Sequence, residues 1–277
     1  AIRNSLVMAP ISTRISSTPR LLAASSGFTA SLERLFWMAG SLLALALLWQ
    51  LIAIYAESRY LPTPLTVFDV LWREGASGDL WKHTSATLVR VAIAFIVSMI
   101  IGTAIGLFLG RYRTADKFFD AWLILFLNLP ALVTITLCYI WFGLTDAAAI
   151  TAVALNKIPN VAVNMREGAR SLSKDLDEMA LVYKFGWWKT LRHVTLPQLA
   201  PFFAASARSG LALVWKIVLV VEAFGRSSGV GYRLSIAFQE FDVSTILAYA
   251  LAFILIVQII EFTVLQPLQS RVNTWRR

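Results

Sequence analysis

The side chains of this sequence that could bind a solute lie inside long apolar stretches. They are Asn128, Lys157, Arg208, Trp215 and Glu222. An ionised side chain at the centre of a bilayer costs about 2.5–3.5 kcal/mol on insertion scales, so each such residue suggests a function. Lys157 and Arg208 would give a central cavity a positive potential suited to an anion. Alternatively, both cations pair with Glu222, Glu261 or backbone carbonyls and only hold helices together.

No catalytic or nucleotide-binding pattern occurs in the sequence. A Gly-x-x-x-x-Gly-Lys-Ser/Thr loop, a Gly-x-Ser-x-Gly elbow and a His-Glu-x-x-His pair are all absent. Cys138 is the only cysteine, which excludes an intramolecular disulfide and a cysteine cluster for a metal. His83 and His193 are expected in different loops on opposite membrane faces. We therefore predict no catalytic residue, no metal site and no cofactor bound by this chain.

A polar, basic segment around residue 180 separates two of the apolar stretches. Asp175 and Asp177 can stabilise the N-terminus of a short helix there, where carboxylates favour the positive end of the helix dipole. One face of this helix, at i, i+3, i+4, i+7 spacing, consists of Leu176, Met179, Ala180 and Tyr183. A helix this short is marginal alone in water. Either a groove on a soluble partner covers this face, or the helix lies flat on the membrane surface.

The composition places most of the chain in lipid. The sequence is 58% hydrophobic and 15% charged, whereas soluble domains have about 45–50% apolar and about 25% charged residues. A membrane-spanning helix needs about 20 mostly apolar residues. Six stretches meet this length: 35–55, 86–109, 121–142, 147–166, 198–221 and 245–267. We expect an all-α polytopic membrane protein with six transmembrane helices, and the second of them carries Gly102, Gly106 and Gly110 at a spacing that favours close helix packing.

The net charge of +9 fits a membrane orientation better than nucleic-acid binding, because Lys and Arg collect in cytoplasmic loops. If the N-terminus is cytoplasmic, sixteen of the 25 Lys and Arg residues fall inside and five fall outside. This asymmetry predicts that both termini are cytoplasmic. The expected location is the bacterial inner membrane, with the lipid bilayer and no nucleic acid as a partner.

The segment from Glu178 to Pro197 resembles the "EAA" coupling loop of ABC-importer permeases, where a short cytoplasmic helix docks into an ATP-hydrolysing subunit. Glu178 and Ala180 fit the Glu-Ala-Ala start, Met179 replaces the first Ala, and Leu196-Pro197 fits the closing Leu-Pro pair. In that pattern a Gly follows the Glu by six residues. Lys184 occupies this place and Gly186 comes two residues later. Because Lys disfavours a left-handed turn, we expect the turn to shift to Gly186.

Further motifs resemble the nitrate/sulfonate/taurine class of these permeases over roughly residues 60–268. They are Leu61-Pro62-Thr63-Pro64, Leu88-Val89-Arg90-Val91, Tyr139-Ile140-Trp141-Phe142-Gly143, and the run of Arg208, Trp215 and Glu222 followed by Gly229-Val230-Gly231-Tyr232. Each motif is weak alone, but their order and spacing together are specific. The resemblance implies the type I ABC importer permease fold.

The resemblance also implies partners and a mechanism. A second permease copy would form a homodimer, two ATP-binding subunits would hold ATP and Mg, and an extracytoplasmic solute-binding protein would deliver a small, anionic solute such as nitrate, sulfonate or taurine. Alternating access would be driven through the coupling residues, which are Asp177, Glu178, Met179, Ala180, Tyr183, Gly186, Leu196 and Pro197. Glu178 would contact an Arg on the ATPase.

Two other functions fit the sequence less well. An ion-coupled secondary transporter would need an acid at mid-membrane, but Glu222 and Glu261 lie near the ends of predicted spans, and no internal repeat is visible. An intramembrane enzyme would need paired catalytic residues, which the sequence lacks.

The predicted organisation has four parts. Residues 1–33 form a basic, Ser/Thr-rich arm, which resembles an organelle transit peptide or is a disordered arm beside an inner membrane. Residues 34–83 hold the first transmembrane helix and an external loop. Residues 84–268 form the membrane domain, with the coupling loop at 167–197. Residues 269–277 form a basic cytoplasmic tail.

Overall fold

In the computed structural model, residues 22–267 are described, and every regular element among them is a helix. The predicted all-α class is confirmed. Most of the predicted N-terminal arm and the whole of the predicted tail lie outside the described residues. The chain divides into two units, Ala1–Glu57 and Ser58–Arg277.

The first unit contains a single described helix, α1 (Leu22–Ala56). Its apolar part, Phe36–Ala56, is long enough to cross a membrane and agrees with the predicted span at 35–55. Its large side chains from Phe36 to Tyr55 are mostly exposed, as lipid-facing residues are.

The second unit contains ten further helices and two π-helical turns. They are α2 (Pro64–Ser77), α3 (Asp79–Arg111), α4 (Arg113–Asn128), α5 (Ala131–Phe142), α6 (Asp146–Arg170), α7 (Lys174–Val182), α8 (Trp187–Thr190), a π turn (Leu191–Thr195), α9 (Leu196–Gly225), α10 (Val230–Gln239), α11 (Val243–Ile260) and a second π turn (Glu261–Leu265). The proline motif at 61–64 begins α2, because Pro64 lies in its first turn and Thr63 Oγ1 accepts a hydrogen bond from Thr66 N–H at 3.3 Å.

The predicted count of six spans is not confirmed. Four segments are long and apolar enough to cross a membrane: Phe36–Ala56, Asp79–Arg111, Trp187–Gly225 and Val243–Thr263. The predicted span at 121–142 is two helices, α4 and α5, which meet at an angle of 94°. Pro130 lies at the break, where its missing N–H and fixed φ interrupt the helix.

The predicted span at 147–166 lies within α6, which is not apolar enough to pass the same test. Asn156, Lys157, Asn160 and Asn164 reduce its mean hydropathy. This helix packs against α3, α4, α5 and α9, so much of its surface faces protein rather than lipid. A helix enclosed in this way does not need an apolar surface on every side.

The glycine face of α3 packs directly against α6, as its spacing predicted. A Cβ on Gly102 would lie 2.6 Å from Val161 Cβ, and one on Gly106 would lie 2.5 Å from Ala162 O. A Cβ on Gly110 would collide with Ala169 Cβ. These contacts let the two backbones approach closely where lipid tails offer no hydrophobic drive for association.

We therefore expect Gly106→Val to lower the free energy of unfolding by about 1–3 kcal/mol, because the new side chain overlaps the α6 backbone. The control is Gly40→Val in α1, where no neighbour lies within 4 Å. Thermal unfolding of both variants in detergent checks this. Equal unfolding midpoints for the two variants would show that the α3–α6 contact does not limit stability.

Candidate functional site

Helix α7 projects from the helical bundle between α6 and α9. Its chief packing partner within the chain is the π turn Leu191–Thr195. Ala180 is buried, whereas Glu178, Met179 and Tyr183 are exposed and Asp177 is half-buried. Leu176, Met179 and Tyr183 lie on one side of the helix, so this apolar side is open to a partner.

The side chain of Gln198 joins the start of α7 to the start of α9 by hydrogen bonds. Its Oε1 accepts a hydrogen bond from Ser173 N–H at 3.0 Å, and its Nε2 donates to Val194 O at 3.0 Å. Leu196 and Pro197 form the first turn of α9, where a proline costs little because its N–H would have no helical partner. The π turn directly precedes this first turn of α9, and it is closed by a hydrogen bond from Leu196 N–H to Leu191 O. Sequence reasoning missed Gln198.

The predicted shift of the turn to Gly186 is wrong. Lys184 itself adopts the left-handed conformation, with φ of +51°, while Gly186 is extended with φ of −68°. Two hydrogen bonds fix this geometry at the end of α7: Phe185 N–H to Ala180 O at 2.8 Å and Lys184 N–H to Leu181 O at 3.0 Å. This is the Schellman arrangement, which outweighs the Cβ penalty that Lys184 carries.

We expect Lys184→Gly to stabilise this turn by about 0.5–1 kcal/mol, because glycine adopts the left-handed conformation without a Cβ penalty. Lys184→Val should destabilise it by about 1 kcal/mol or more, since β-branched residues fit this region worst. Hydrogen exchange at the amides of residues 184 and 185 measures the effect. Gly186→Ala is the control, because Gly186 is extended and has open space around it; a larger effect there than at residue 184 would contradict the assignment.

A partly buried ion-pair network holds α4 to the end of α6, where the predicted coupling loop begins. Arg166 Nη1 contacts Asp116 Oδ1 at 3.1 Å and Asp120 Oδ1 at 2.6 Å. Arg170 contacts both Asp116 and Glu167. The sequence contained a signal for this network, since two acids and two arginines each lie four residues apart. These side chains join α4 to the end of α6.

Glu222 lies in a fully buried polar cluster rather than in a cavity. Its Oε1 accepts from Arg90 Nη1 at 2.6 Å, and its Oε2 accepts from Thr87 Oγ1 at 2.8 Å and from Gly231 N–H at 3.0 Å. These contacts join α9 to α3 and α10. Both carboxylate oxygens are therefore occupied by protein donors.

Arg90, within the motif at 88–91, is the centre of this cluster. It also contacts Asp146 Oδ1 at 2.7 Å, Ser228 O at 2.8 Å and Ser228 Oγ at 2.8 Å. Arg226 approaches the same Asp146 oxygen at 3.1 Å. Sequence reasoning quoted Arg90 only as part of a motif and gave it no role.

The Gly-x-Gly motif is explained by the same cluster. Gly229 has φ of +117°, and a Cβ there would collide with the Glu222 carboxyl group. A Cβ on Gly231 would collide with Leu219 O. The Gly229 N–H donates to His83 Nδ1 at 3.1 Å. His83 therefore lies buried within α3 and not in a loop, which corrects the prediction, while His193 lies in the π turn before α9.

Arg208 and Trp215 both line a groove of about 450 Å³ between α9 and α11. Ser209 and Ala212 line it beside them, with Glu261 on the far side. Arg208 Nη2 lies 3.5 Å from Glu261 Oε1, which matches the alternative prediction of a structural pair. Whether these residues meet a solute stays a prediction.

The structure does not bring Lys157 to the groove of Arg208. Lys157 is completely buried between α6 and α9, its aliphatic chain fills the space that Gly210 leaves open, and its Nζ has no hydrogen-bond partner among the described residues. Asn128 is exposed at the break between α4 and α5, where its Nδ2 donates to Ile124 O at 2.7 Å. Over the described range, no group of three or more His, Cys, Asp or Glu residues could hold a metal ion.

Comparisons with known proteins agree with this arrangement. The chain is 28% identical over 248 residues to the putative aliphatic sulfonates transport permease protein SsuC of Bacillus subtilis, covering 88% of this chain and 90% of that protein. It is 30% identical to SsuC of Escherichia coli, covering 73% and 78%, and 26% identical to the taurine transport system permease protein TauC of Escherichia coli, covering 85% and 88%.

Solved structures share the fold at low sequence identity. A structure of the MetNI methionine ABC transporter in an inward-facing conformation matches with a TM-score of 0.57 and 16% identity, covering 66% of this chain and 92% of that one. A structure of an amino acid ABC transporter with histidines matches with a TM-score of 0.57 and 17% identity, covering 73% and 97%.

Residues 98–271 match the family described as the binding-protein-dependent transport system inner membrane component. Chains of this family form the multi-pass membrane part of ABC importers, while ATP hydrolysis resides in a partner subunit and a solute-binding protein delivers the solute. The chain belongs to this family and is an ABC importer permease of the nitrate/sulfonate/taurine class.

Proposed function

We propose that two copies of this chain form the path of an ATP-driven importer for a small anionic solute such as a sulfonate, nitrate or taurine. Two ATP-binding subunits dock on the cytoplasmic side, where both termini also lie, and move the path by alternating access. The observation that carries this proposal is the exposed α7, held between α6 and α9 with Glu178, Met179 and Tyr183 available to a partner.

The proposed charge of the solute follows from the exposed stripe of α9. Ala205, Arg208, Ser209, Ala212 and Lys216 lie on one side of this spanning helix and are all exposed. Two cations and small residues on a lipid-facing surface would be costly, so this side is better suited to a water-filled path or to a second protein. Sulfonates and taurine, which the names of the two kinds of relative give, both carry an anionic group.

The break between α4 and α5 supports the second copy. Asn128 and Pro130 are exposed beside non-helical backbone in a segment that is otherwise apolar enough to span a membrane. Irregular backbone at membrane depth is tolerated where protein covers it or where it lines a water-filled cavity. A homodimer whose solute path runs past this break satisfies both conditions.

The proposed coupling path runs from α7 to this break. The ATPase moves α7, which pulls the end of α6 through Ser171–Ser173. The Arg166 and Arg170 pairs to Asp116 then move α4, and α4 carries Asn128. A short backbone segment joins α7 to α6 and ion pairs join α6 to α4, so a small displacement at α7 would reach the solute path.

Uptake into proteoliposomes tests the proposal. The chain is co-reconstituted with its ATP-binding subunits and its solute-binding protein, and labelled sulfonate, taurine and nitrate are offered. We expect the complete complex to take up at least one of these anions, and we expect this uptake to require ATP. Uptake by the isolated chain driven by a proton or sodium gradient would contradict the proposal and favour an ion-coupled secondary transporter.

A further inference from the structure

A cavity of about 1100 Å³ lies between the coupling loop and the corner where α3 meets α4. Its walls come from the ends of α3 and α6, the start of α4, one side of α7 and the segment from Phe185 to Thr195. On α7, the lining residues are Lys174, Asp177 and Leu181. They lie on the side opposite Leu176, Met179 and Tyr183, so the cavity leaves that apolar side of α7 open; Asp177, one of the predicted coupling residues, lines the cavity instead.

The rim of this cavity is strongly basic. Arg111, Arg113, Lys117 and Lys174 line it and are exposed. Within the part of the chain that the structure describes, none of these four cations forms a salt bridge with an acid. The wall also holds the acids Asp116 and Asp177, but Asp116 is paired with Arg166 and Arg170. The cavity therefore carries a net positive charge that its own protein does not compensate.

The remaining wall is apolar and aromatic. Leu107 and Leu109 belong to the apolar run of α3, and Leu172 and Leu191 line the cavity beside them. Tyr112 and Trp187 are exposed at its edge. Tyr and Trp in such positions mark the boundary between the hydrocarbon and the headgroups. The cavity thus offers apolar surface on one side and cations on the other.

We propose that this cavity binds an anionic phospholipid. The phosphate group lies among Arg113, Lys117 and Lys174, and an acyl chain lies along Leu107 and Leu191. Basic pockets between membrane helices recognise lipid headgroups in this way, because the lipid supplies the missing negative charge and the apolar tail together. A soluble anion would match only the basic rim. A protein partner would not supply an acyl chain for the apolar wall beside α3.

A lipid in this position joins the start of α4 to α7. These are the two elements that the proposed coupling path connects through Arg166 and Asp116. The occupied cavity would therefore stiffen the contact between the coupling loop and α4. The binding itself does not depend on which solute is transported, so it can be tested separately from transport.

Native mass spectrometry of the purified, delipidated chain in detergent tests the binding. Phosphatidylglycerol, phosphatidylcholine and inorganic phosphate are titrated separately. We expect a phosphatidylglycerol adduct at concentrations where phosphatidylcholine gives none, and no displacement by millimolar phosphate. Equal binding of both lipids, or displacement by phosphate, would overturn the proposal.

Matched variants locate the site. Arg113→Gln with Lys117→Gln should weaken phosphatidylglycerol binding about tenfold or more, because each cation near an anionic lipid contributes to its affinity. Arg59→Gln with Lys82→Gln removes the same charge from exposed positions away from this cavity and should change nothing. An equal loss of phosphatidylglycerol affinity in the two double variants would show a general charge effect and contradict a specific site.

A third measurement needs no variant. A photoreactive phosphatidylglycerol is cross-linked to the wild-type complex, with the ATP-binding subunits present. Labelled peptides should fall within 107–117 or 172–195. Labelling elsewhere, or complete loss of labelling when the ATP-binding subunits are bound, would show instead that protein occupies the cavity.

Discussion

Replacing Arg90 with methionine is expected to lower the free energy of unfolding by about 3–5 kcal/mol, because it leaves the Glu222 carboxylate buried without its cation. Glu222 is completely buried, and the Arg90 guanidinium is also largely removed from solvent. The same substitution removes the donors to Asp146 and to Ser228. The measured quantity is the thermal unfolding midpoint of the detergent-solubilised chain, together with its level in the membrane.

The control is Arg73→Met. Arg73 pairs with Asp69 at 2.9 Å on α2, and both side chains are well exposed. An exposed pair of this kind contributes about 0–1 kcal/mol, so this variant should remain close to wild type. A second test combines Arg90→Met with Glu222→Gln. Removing the unpaired buried charge should restore part of the lost stability; no recovery would show that the carboxylate is not the source of the loss.

Local rules predicted well wherever the determinant was a spacing within one helix. The four-residue repeat of Gly102, Gly106 and Gly110 predicted a close helix contact, and α6 supplies it. Composition and the length of the apolar stretches predicted the all-α membrane class.

Partners distant in sequence could not be predicted. Arg90 lies 56 residues from Asp146 and 132 residues from Glu222. The sequence around a charged residue at membrane depth does not show whether its side chain faces a solute or another charged side chain. Glu222 was therefore assigned to the solute path, and the structure shows it satisfied by α3 and α10. Arg208 remains beside the groove, with Glu261 as its neighbour.

Hydropathy also failed where the chain bends or is enclosed. Leu129-Pro130 divides an apolar stretch into two helices at 94°, because proline removes a helix hydrogen bond while leaving the average hydropathy unchanged. The turn at Lys184 differs from the prediction because two backbone hydrogen bonds at the end of α7 outweigh the conformational preference of a single residue.

Charge reversal at the proposed coupling helix α7 is expected to reduce ATP-driven uptake strongly while leaving the fold intact. Glu178 is exposed on α7 and forms no salt bridge within the described part of the chain, so Glu178→Arg disturbs no internal contact of that kind. If Glu178 pairs with an arginine of a docked ATPase subunit, losing the carboxylate costs about 2–5 kcal/mol of docking free energy, and reversal adds like-charge repulsion. We expect uptake to fall at least tenfold.

Two readouts separate this effect from misfolding. The thermal unfolding midpoint of the Glu178→Arg chain should match wild type, whereas co-purification of the ATP-binding subunits should be weakened. Glu240→Arg is the matched control, since Glu240 is equally a solvent-exposed acid but lies at the end of α10, far along the chain from the coupling loop. Of these two positions, only 178 lies on the surface proposed for the ATPase, so Glu240→Arg should retain both uptake and binding of the ATP-binding subunits. Normal uptake by the Glu178→Arg complex would mean that the ATPase engages another surface.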